Sequence, residues 1–92
     1  MRTIRQNDLL IASRKLESRT LLILEESPSS VAHHSKLIDL AIRNKTNVPS
    51  GTLLVCLDVT DGKYGTNVKV IDPVTGLQGW MVYGSLEFVD ES

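Results

Sequence analysis

The residue types that most often carry chemistry in proteins are few in this chain, and they are scattered. The single cysteine, Cys56, lies among aliphatic residues, and the two histidines, His33 and His34, are adjacent in a polar stretch. A nucleophilic cysteine needs a nearby base, and a zinc site needs three or four ligands at a definite spacing. Neither arrangement can be assembled from these residues and the dispersed carboxylates. We therefore predict that the protein is not an enzyme, that it holds no metal or other cofactor, and that Cys56 is a small buried residue.

Aromatic side chains are the other candidates for function, because tyrosine and tryptophan dominate binding hot spots. Trp80 is the only tryptophan, and Tyr64 and Tyr83 lie in or beside predicted turns. One interpretation is that these three residues form an exposed binding face. The alternative for Trp80 is a position in the wall of a barrel, packed beneath the turn at residues 73–76, because residues 80–83 are apolar on both faces of a strand. Tyr64 could also pack within its own loop.

Composition limits the classes of partner. The 92 residues suffice for one domain, and the net charge of −1 gives no general attraction to nucleic acid. Small barrels that bind nucleic acid place lysine and arginine among stacking aromatic residues. Here the corresponding lysines, Lys63 and Lys69, are surrounded by Asp58, Asp61 and Asp72. Nucleic-acid binding is therefore an alternative and not the first prediction.

Hydropathy and cysteine content predict the compartment. No continuous apolar run near the first residue has the form of a secretory signal, and no stretch approaches the about 18–20 apolar residues that span a bilayer. A lone cysteine cannot form an intramolecular disulfide. We expect a cytoplasmic protein that does not enter a membrane.

The C-terminal half carries the clearest pattern of secondary structure. Apolar residues at alternate positions predict a strand over residues 53–59, and further strands are predicted over residues 68–71, 78–83 and 87–89. Residues 72–76, with the sequence DPVTG, have the proline and glycine positions of a tight hairpin turn. Connections this short favour antiparallel pairing. The residues predicted to be buried are Leu22, Leu24, Leu53, Val55, Leu57, Val70, Val82 and Leu86.

The N-terminal half leaves alternatives open. Residues 20–25 predict a strand. Residues 37–43 suit either a helix, with apolar residues on one face and serine caps before it, or a strand, and we favour the strand because a barrel needs one there. Residues 5–17 suit either a short helix or, over residues 8–13, an added edge strand.

Three segments resemble a bacterial-type SH3-like domain. The stretch NVPSGTLLV at residues 47–55 is similar to the proline-x-glycine-threonine segment that begins the second barrel strand in that family. GLQGWM at residues 76–81 resembles its glycine-x-x-glycine-tryptophan-valine element, with Met81 in place of valine, and SLEFV at residues 85–89 is similar to its closing turn and strand. The resemblance implies a mainly β, SH3-like small barrel over residues 20–92, with residues 1–19 as an N-terminal extension.

Such domains bind peptides, cell-wall fragments or partner proteins. Residues 20–30 contain no aromatic residue, so recognition of proline-rich ligands is not expected. The chain also resembles the small accessory proteins that bacteriophages encode. We therefore predict a non-enzymatic interaction module that binds a protein partner or self-associates through Tyr64, Trp80 and Tyr83. The alternatives are a nucleic-acid-binding small barrel and a structural component of a phage particle.

Overall fold

A single antiparallel sheet dominates the fold. The computed structural model describes residues 3–15, 19–24, 27–28, 34–62 and 65–89, and in this part of the chain seven strands curl into a half-barrel in the order β3-β2-β6-β5-β4-β1-β7. The elements are β1 Leu9–Ala12, β2 Thr20–Leu22, α1 His34–Arg43, β3 Lys45–Asn47, β4 Leu53–Gly62, β5 Gly65–Ile71, β6 Gln78–Val82 and β7 Leu86–Phe88. The predicted mainly β, barrel-like class is confirmed.

The strands β4, β5 and β6 form the predicted antiparallel meander. The turn between β5 and β6 is held by Asp72, whose Oδ1 accepts the N–H of Val74 at 2.8 Å and whose carbonyl accepts the N–H of Gly76 at 2.8 Å. Gly76 has a φ of +78°, which a residue without Cβ adopts at little cost. The hairpin prediction is confirmed, because the aspartate and the glycine both occupy the positions that this turn requires.

A second turn delivers the chain into β4 and ties it to β1. Gly51 has a φ of +80° and donates its N–H to the carbonyl of Ala12 at 2.9 Å. Thr52 closes the turn by donating its N–H and its hydroxyl to the carbonyl of Pro49. The proline-serine-glycine-threonine sequence therefore sets both the turn and the register of the strand that follows it.

The segment predicted as an N-terminal extension contributes β1. Of the two alternatives left open for it, the added strand is therefore correct and the short helix is wrong. This strand is not at an edge, because Leu10 is paired with Leu54 of β4 on one side and with Phe88 of β7 on the other. A turn leads into β1, in which Asn7 has a φ of +74° and Asp8 Oδ2 accepts the N–H of Arg5. Asparagine is one of the few residues other than glycine that adopt this conformation readily.

The strand favoured for residues 37–43 is wrong, because the segment belongs to α1. Leu37, Leu40 and Ala41 recur at helical spacing and are half-buried, while the ion pair between Asp39 and Arg43 joins positions i and i+4 at 3.6 Å. Local helical periodicity therefore prevails over the assumption that a barrel needs a strand here. The edge strand β3, which was not predicted, follows the helix directly.

Beyond the helix, Asn44 ends α1 by donating both its backbone N–H and its side-chain Nδ2–H to the carbonyl of Leu40 at 2.9 Å. The carbonyl of Asn44 then accepts the N–H of Ile23 at 2.6 Å, which starts the pairing of β3 with β2. Asn44 thus ends the helix α1 and begins the pairing of the strand β3 with β2.

The core lies on the inner, concave face of the sheet. Its buried members are Ile4, Leu10, Ala12, Leu21, Val48, Leu54, Cys56, Val68, Val70, Met81 and Phe88. Of the predicted core, Val70 is confirmed as fully buried and Leu86 packs against the core from a half-buried position. The inner face therefore brings together residues from six of the seven strands, all except β3.

The predicted facing of three strands is wrong. On β4, Leu54 is 1% exposed whereas Leu53 is 42% exposed, and Val55 and Leu57 are only half-buried. The same inversion places Leu21 of β2 inside in place of Leu22, and of Leu24 beyond the strand, and it places Met81 of β6 inside in place of Val82. The physical reason is that these strands are apolar on both faces, so alternation alone allows two opposite orientations.

Candidate binding surface on the outer face of the sheet

A row of aliphatic side chains crosses the outer, convex face of the sheet. Leu9 on β1 is paired with Val55 on β4, which is paired with Ile71 on β5, and Ile71 is in turn paired with Gln78 on β6. Paired residues lie on the same face of a sheet, so these four side chains are neighbours across four strands. Leu9 is 51% exposed, and Val55 and Ile71 are half-buried.

A second row lies beside the first, where Ile11 on β1 is paired with Leu53 on β4. Leu53 is 42% exposed and Ile11 is half-buried. We call the five residues Leu9, Ile11, Leu53, Val55 and Ile71 the aliphatic patch. Contiguous exposed apolar residues of this kind are typical of surfaces that bind other molecules, whereas single exposed leucines are not informative.

Charged groups border the aliphatic patch at β7. Glu87 is paired with Ile11 in the sheet, and its Oε2 accepts the backbone N–H of Arg14 at 2.9 Å and lies 3.7 Å from the Nε of the same residue. The N–H bond is the main cause that lowers the pKa of Glu87, and the positive charges of Arg14 and Lys15 act in the same direction, while desolvation opposes them. The patch therefore has an apolar centre and an ionised rim.

Trp80 is buried on the outer face and is not an exposed anchor. It is 3% exposed, lies between Leu22 and Lys69 in the register, and does not belong to the inner core. The chain after β2 reaches this face, because the hydroxyls of Ser27 and Thr60 are 2.5 Å apart. The structure thus places Trp80 in the wall of the half-barrel, and the interpretation as an exposed residue is wrong.

The indole Nε1 of Trp80 has no hydrogen-bond partner. Among the described residues, it is the single buried side-chain nitrogen or oxygen atom that lacks one. A buried donor without an acceptor costs about 1–3 kcal/mol. The atom is closed off from solvent, so Trp80 contributes packing and not a hydrogen bond to this face of the sheet.

A groove of about 260 Å³ lies on the outer face of the sheet. Its described walls are Ile23, Leu24, Lys69 and Gln78. Gln78 is two residues before Trp80 on the same strand face, Lys69 is the cross-strand partner of Trp80, and Ile23 and Leu24 follow Leu22. Because Gln78 also ends the row that begins at Leu9, the groove is continuous with the aliphatic patch.

The other predicted aromatic residues do not join Trp80 in one exposed face. Tyr83 begins the 3-10 helix Tyr83–Ser85 and packs, half-buried, against the inner core, so it lies on the opposite side of the sheet from Trp80. Tyr64 lies outside the described residues. The aliphatic patch was missed because its members come from distant parts of the sequence and meet only through the strand register.

Two arginines of the N-terminal segment are engaged in contacts within the molecule. Arg19 is 8% exposed, and it donates from Nε to the carbonyl of Val48 at 2.9 Å and from Nη1 to the carbonyl of Ser13 at 3.2 Å. It therefore joins the ends of β1 and β3 inside the molecule. Arg14 is exposed but is engaged with Glu87. Both contacts reduce the positive surface that this segment could offer to an acidic partner.

Among the residues considered for chemistry, Cys56 is described together with its surroundings, whereas the side chains of His33 and His34 lie outside the described part of the chain. Cys56 is fully buried in the inner core, as predicted, and burial is the largest cause that raises its pKa, followed by the negative charge of Asp8. The protonated thiol is a poor nucleophile. His33 lies outside the described residues, and in the described part of the chain no three histidine, cysteine or acidic side chains are grouped as metal ligands would be.

Within the described residues, α1 does not have the length and apolar character that a helix needs to cross a bilayer, and no other helix there has them.

Comparison of this chain with protein-family models, with curated proteins and with solved structures gives no match. The resemblance to bacterial-type SH3-like domains therefore stays a prediction drawn from the three segments named above.

Proposed function

We propose that this protein is a non-enzymatic interaction module that uses the aliphatic patch to bind a protein partner or a second copy of itself. The observation that carries the proposal is the exposure of Leu9 and Leu53, at 51% and 42%, within a continuous row of aliphatic side chains. Removing such a surface from water on binding is favourable by about 25 cal/mol per Å² of apolar area.

The surroundings of the patch support the same proposal. Protein interfaces combine an apolar centre with a polar rim, and here the Arg14–Glu87 pair forms such a rim beside Ile11. The SH3-like resemblance supports it as well, since domains of that family bind peptides, wall fragments or proteins. In this proposal the protein is an SH3-like barrel, and a structural role in a phage particle is one form that its self-association could take.

The test compares a double variant, Leu9→Asp with Leu53→Asp, with the control Val74→Asp. Val74 is 88% exposed at the tip of the β5–β6 turn, so its replacement adds the same charge outside the patch. Both proteins should retain the wild-type circular dichroism spectrum. We expect the double variant to lose self-association in sedimentation velocity, or to lose a specific partner in an affinity pull-down followed by mass spectrometry, while the control keeps it.

Two results would contradict the proposal. If the double variant and Val74→Asp keep the same oligomeric state and the same partners, the patch is not an interface. If the material captured by wild type is RNA or DNA and is released by added salt, as displacement of condensed counterions requires, the function is nucleic-acid binding.

A further inference from the structure

We infer that the helix α1 of one molecule packs on the aliphatic patch of a second copy, so that identical molecules associate head to tail. The inference rests on the proposed function and deepens it, because it names the partner of the patch and the surface of that partner which the patch contacts.

The helix α1 has an aliphatic side that its own molecule leaves uncovered. Leu37, Leu40 and Ala41 recur at helical spacing and are half-buried. Ile38 and Ile42 are four residues apart, so they are neighbours on the adjoining side of the helix, and they are 47% and 65% exposed. One side of α1 is therefore partly covered within the molecule, and the neighbouring aliphatic side remains in contact with water.

The aliphatic patch lacks a covering layer in the same way. A sheet with an apolar face and a helix with an apolar stripe are stable when each packs against another element. In one molecule the patch exposes Leu9 and Leu53 while α1 exposes Ile38 and Ile42, so the two surfaces do not cover each other. Packing of α1 from a second copy on the patch would remove both surfaces from water.

The segment from α1 to β3 carries a net positive charge. Its basic residues Lys36, Arg43 and Lys45 outnumber the acidic residue Asp39. Asp39 lies 3.6 Å from Arg43 and compensates that guanidinium group. The two lysines are exposed, so they determine the sign of the charge that α1 and β3 present to a partner.

The surroundings of the patch have the opposite sign. The strands β1, β4, β5 and β7 contain three acidic residues and one basic residue, which are Asp58, Asp61, Glu87 and Lys69. Arg14, just after β1, compensates Glu87, so three acids face two bases. Because two identical patches would carry charge of the same sign, this arrangement favours α1 over a second patch as the partner.

Contact between two different surfaces determines the kind of assembly. Each molecule has one α1 and one patch, so every copy that is added leaves one surface of each kind free, and the product is a ring or an open chain. The helix has 10 residues, and it is therefore about 15 Å long. A contact of this size is small, so we expect weak association with a dissociation constant in about the micromolar range or above.

Complementation between two variants tests the inference by sedimentation velocity at about 10 μM to about 1 mM. Leu9→Asp with Leu53→Asp removes the patch and keeps α1. Ile38→Gln with Ile42→Gln removes the aliphatic side of α1 and keeps the patch, and glutamine is a good helix former. We expect wild type and the control Val74→Gln to increase in mass with concentration, each double variant alone to stay monomeric, and an equimolar mixture of the two to form a one-to-one pair.

A charge variant provides a second measurement. Lys36→Glu with Lys45→Glu leaves the aliphatic residues in place and makes the segment from α1 to β3 acidic, so self-association should weaken at low salt. Both positions are exposed, so this variant also serves if the glutamine variant loses its helical circular dichroism signal. Unchanged self-association of the folded charge variant would overturn the inference.

The remaining outcomes separate this inference from the proposed function. A glutamine variant that still self-associates would show a pair of patches, and a mixture of the two double variants without a one-to-one pair would exclude the head-to-tail contact. If wild type is monomeric at every concentration but the Leu9 and Leu53 double variant loses a specific partner in the pull-down, the interaction module stands and only this inference fails. If neither association nor partners change in any variant, both fail.

Discussion

Gly79 determines how closely two strands approach each other. A Cβ atom added to this residue would lie 2.5 Å from the carbonyl oxygen of Leu22 and 3.0 Å from Cγ of Leu21. The strand β2 therefore meets β6 at a separation that only a residue without a side chain permits. In the sequence, this glycine is recognisable only as part of the glycine-tryptophan element. Its physical role is to leave space on the inner face, while the next residue, Trp80, fills the outer face.

Replacement of Gly79 by alanine should destabilise the protein. The added methyl group meets backbone as well as side chain, so relief requires the strands to separate, and we expect a loss of about 1–3 kcal/mol in the free energy of unfolding. Gly84→Ala is the matched control, because a Cβ atom at Gly84 meets nothing within 4 Å. It should change stability by less than about 0.5 kcal/mol. Equal urea midpoints for the two variants would contradict the close approach of β2 and β6.

At the scale of elements, the sequence predicts the strands and turns of the C-terminal meander well. Alternation marks β4 and β5, and Asp72 with Gly76 specifies the hairpin by local chemistry alone. The strand expected over residues 37–43 rests on an assumption about the whole fold, whereas the helical pattern of that segment agrees with α1. Local signals were therefore more reliable than the expected architecture.

The facing of the strands could not be predicted from alternation. On β4, Leu53 and Leu54 are equally apolar, and Leu54, which is paired with the fully buried Leu10, is the one that lies on the inner face. Cys56 offered a local clue, since a cysteine assigned to the core places Leu54 on the same face. The candidate site was missed for the same reason, because an aliphatic residue on the outer face looks like a core residue in the sequence.

A pair of adjacent substitutions tests the orientation of β4. Leu54→Ala should reduce the free energy of unfolding by about 2–5 kcal/mol, through lost burial and the cavity left behind. Leu53→Ala removes the same atoms from a half-exposed position and should cost about 1 kcal/mol or less. Chemical denaturation of both variants under one set of conditions is the measurement. A larger loss for Leu53→Ala would reverse the two faces of the sheet.

At the scale of the whole molecule, polar contacts join segments that belong to different strands or follow them. Glu87 on β7 accepts the N–H of Arg14, just after β1, and Arg19 connects the carbonyls of Ser13 and Val48. These contacts link distant parts of the sequence near one end of the half-barrel. One of them involves the carboxylate of Glu87, whose pKa is lowered in the folded protein, so the free energy of unfolding should depend on pH.

The sign of this dependence follows from Glu87. Its pKa is below the usual 4.5 in the folded state, so the unfolded chain binds a proton more readily. The contribution of Glu87 is complete above about pH 4.5 and is lost as the pH falls through its folded-state pKa. We expect the urea midpoint of Glu87→Gln to change less than that of wild type between pH 5 and pH 3.

A second variant identifies the cause of the lowered pKa. Arg14→Ala keeps the backbone N–H that contributes most, so it should retain most of the acid dependence that Glu87→Gln loses. If Glu87→Gln and wild type lose stability in parallel on acidification, the folded-state pKa of Glu87 is not lowered.

The central position of β1 has a consequence for how the protein acquires its structure. The meander β4–β5–β6 contains only local pairings, which close quickly, whereas β1 must wait for β4 and then for β7 at the far end of the chain. During synthesis, Leu10 and its neighbours would leave the ribosome long before their partners exist. We therefore expect the meander to form first, and the rate-limiting step of folding to be the insertion of the earliest strand between the middle and the last.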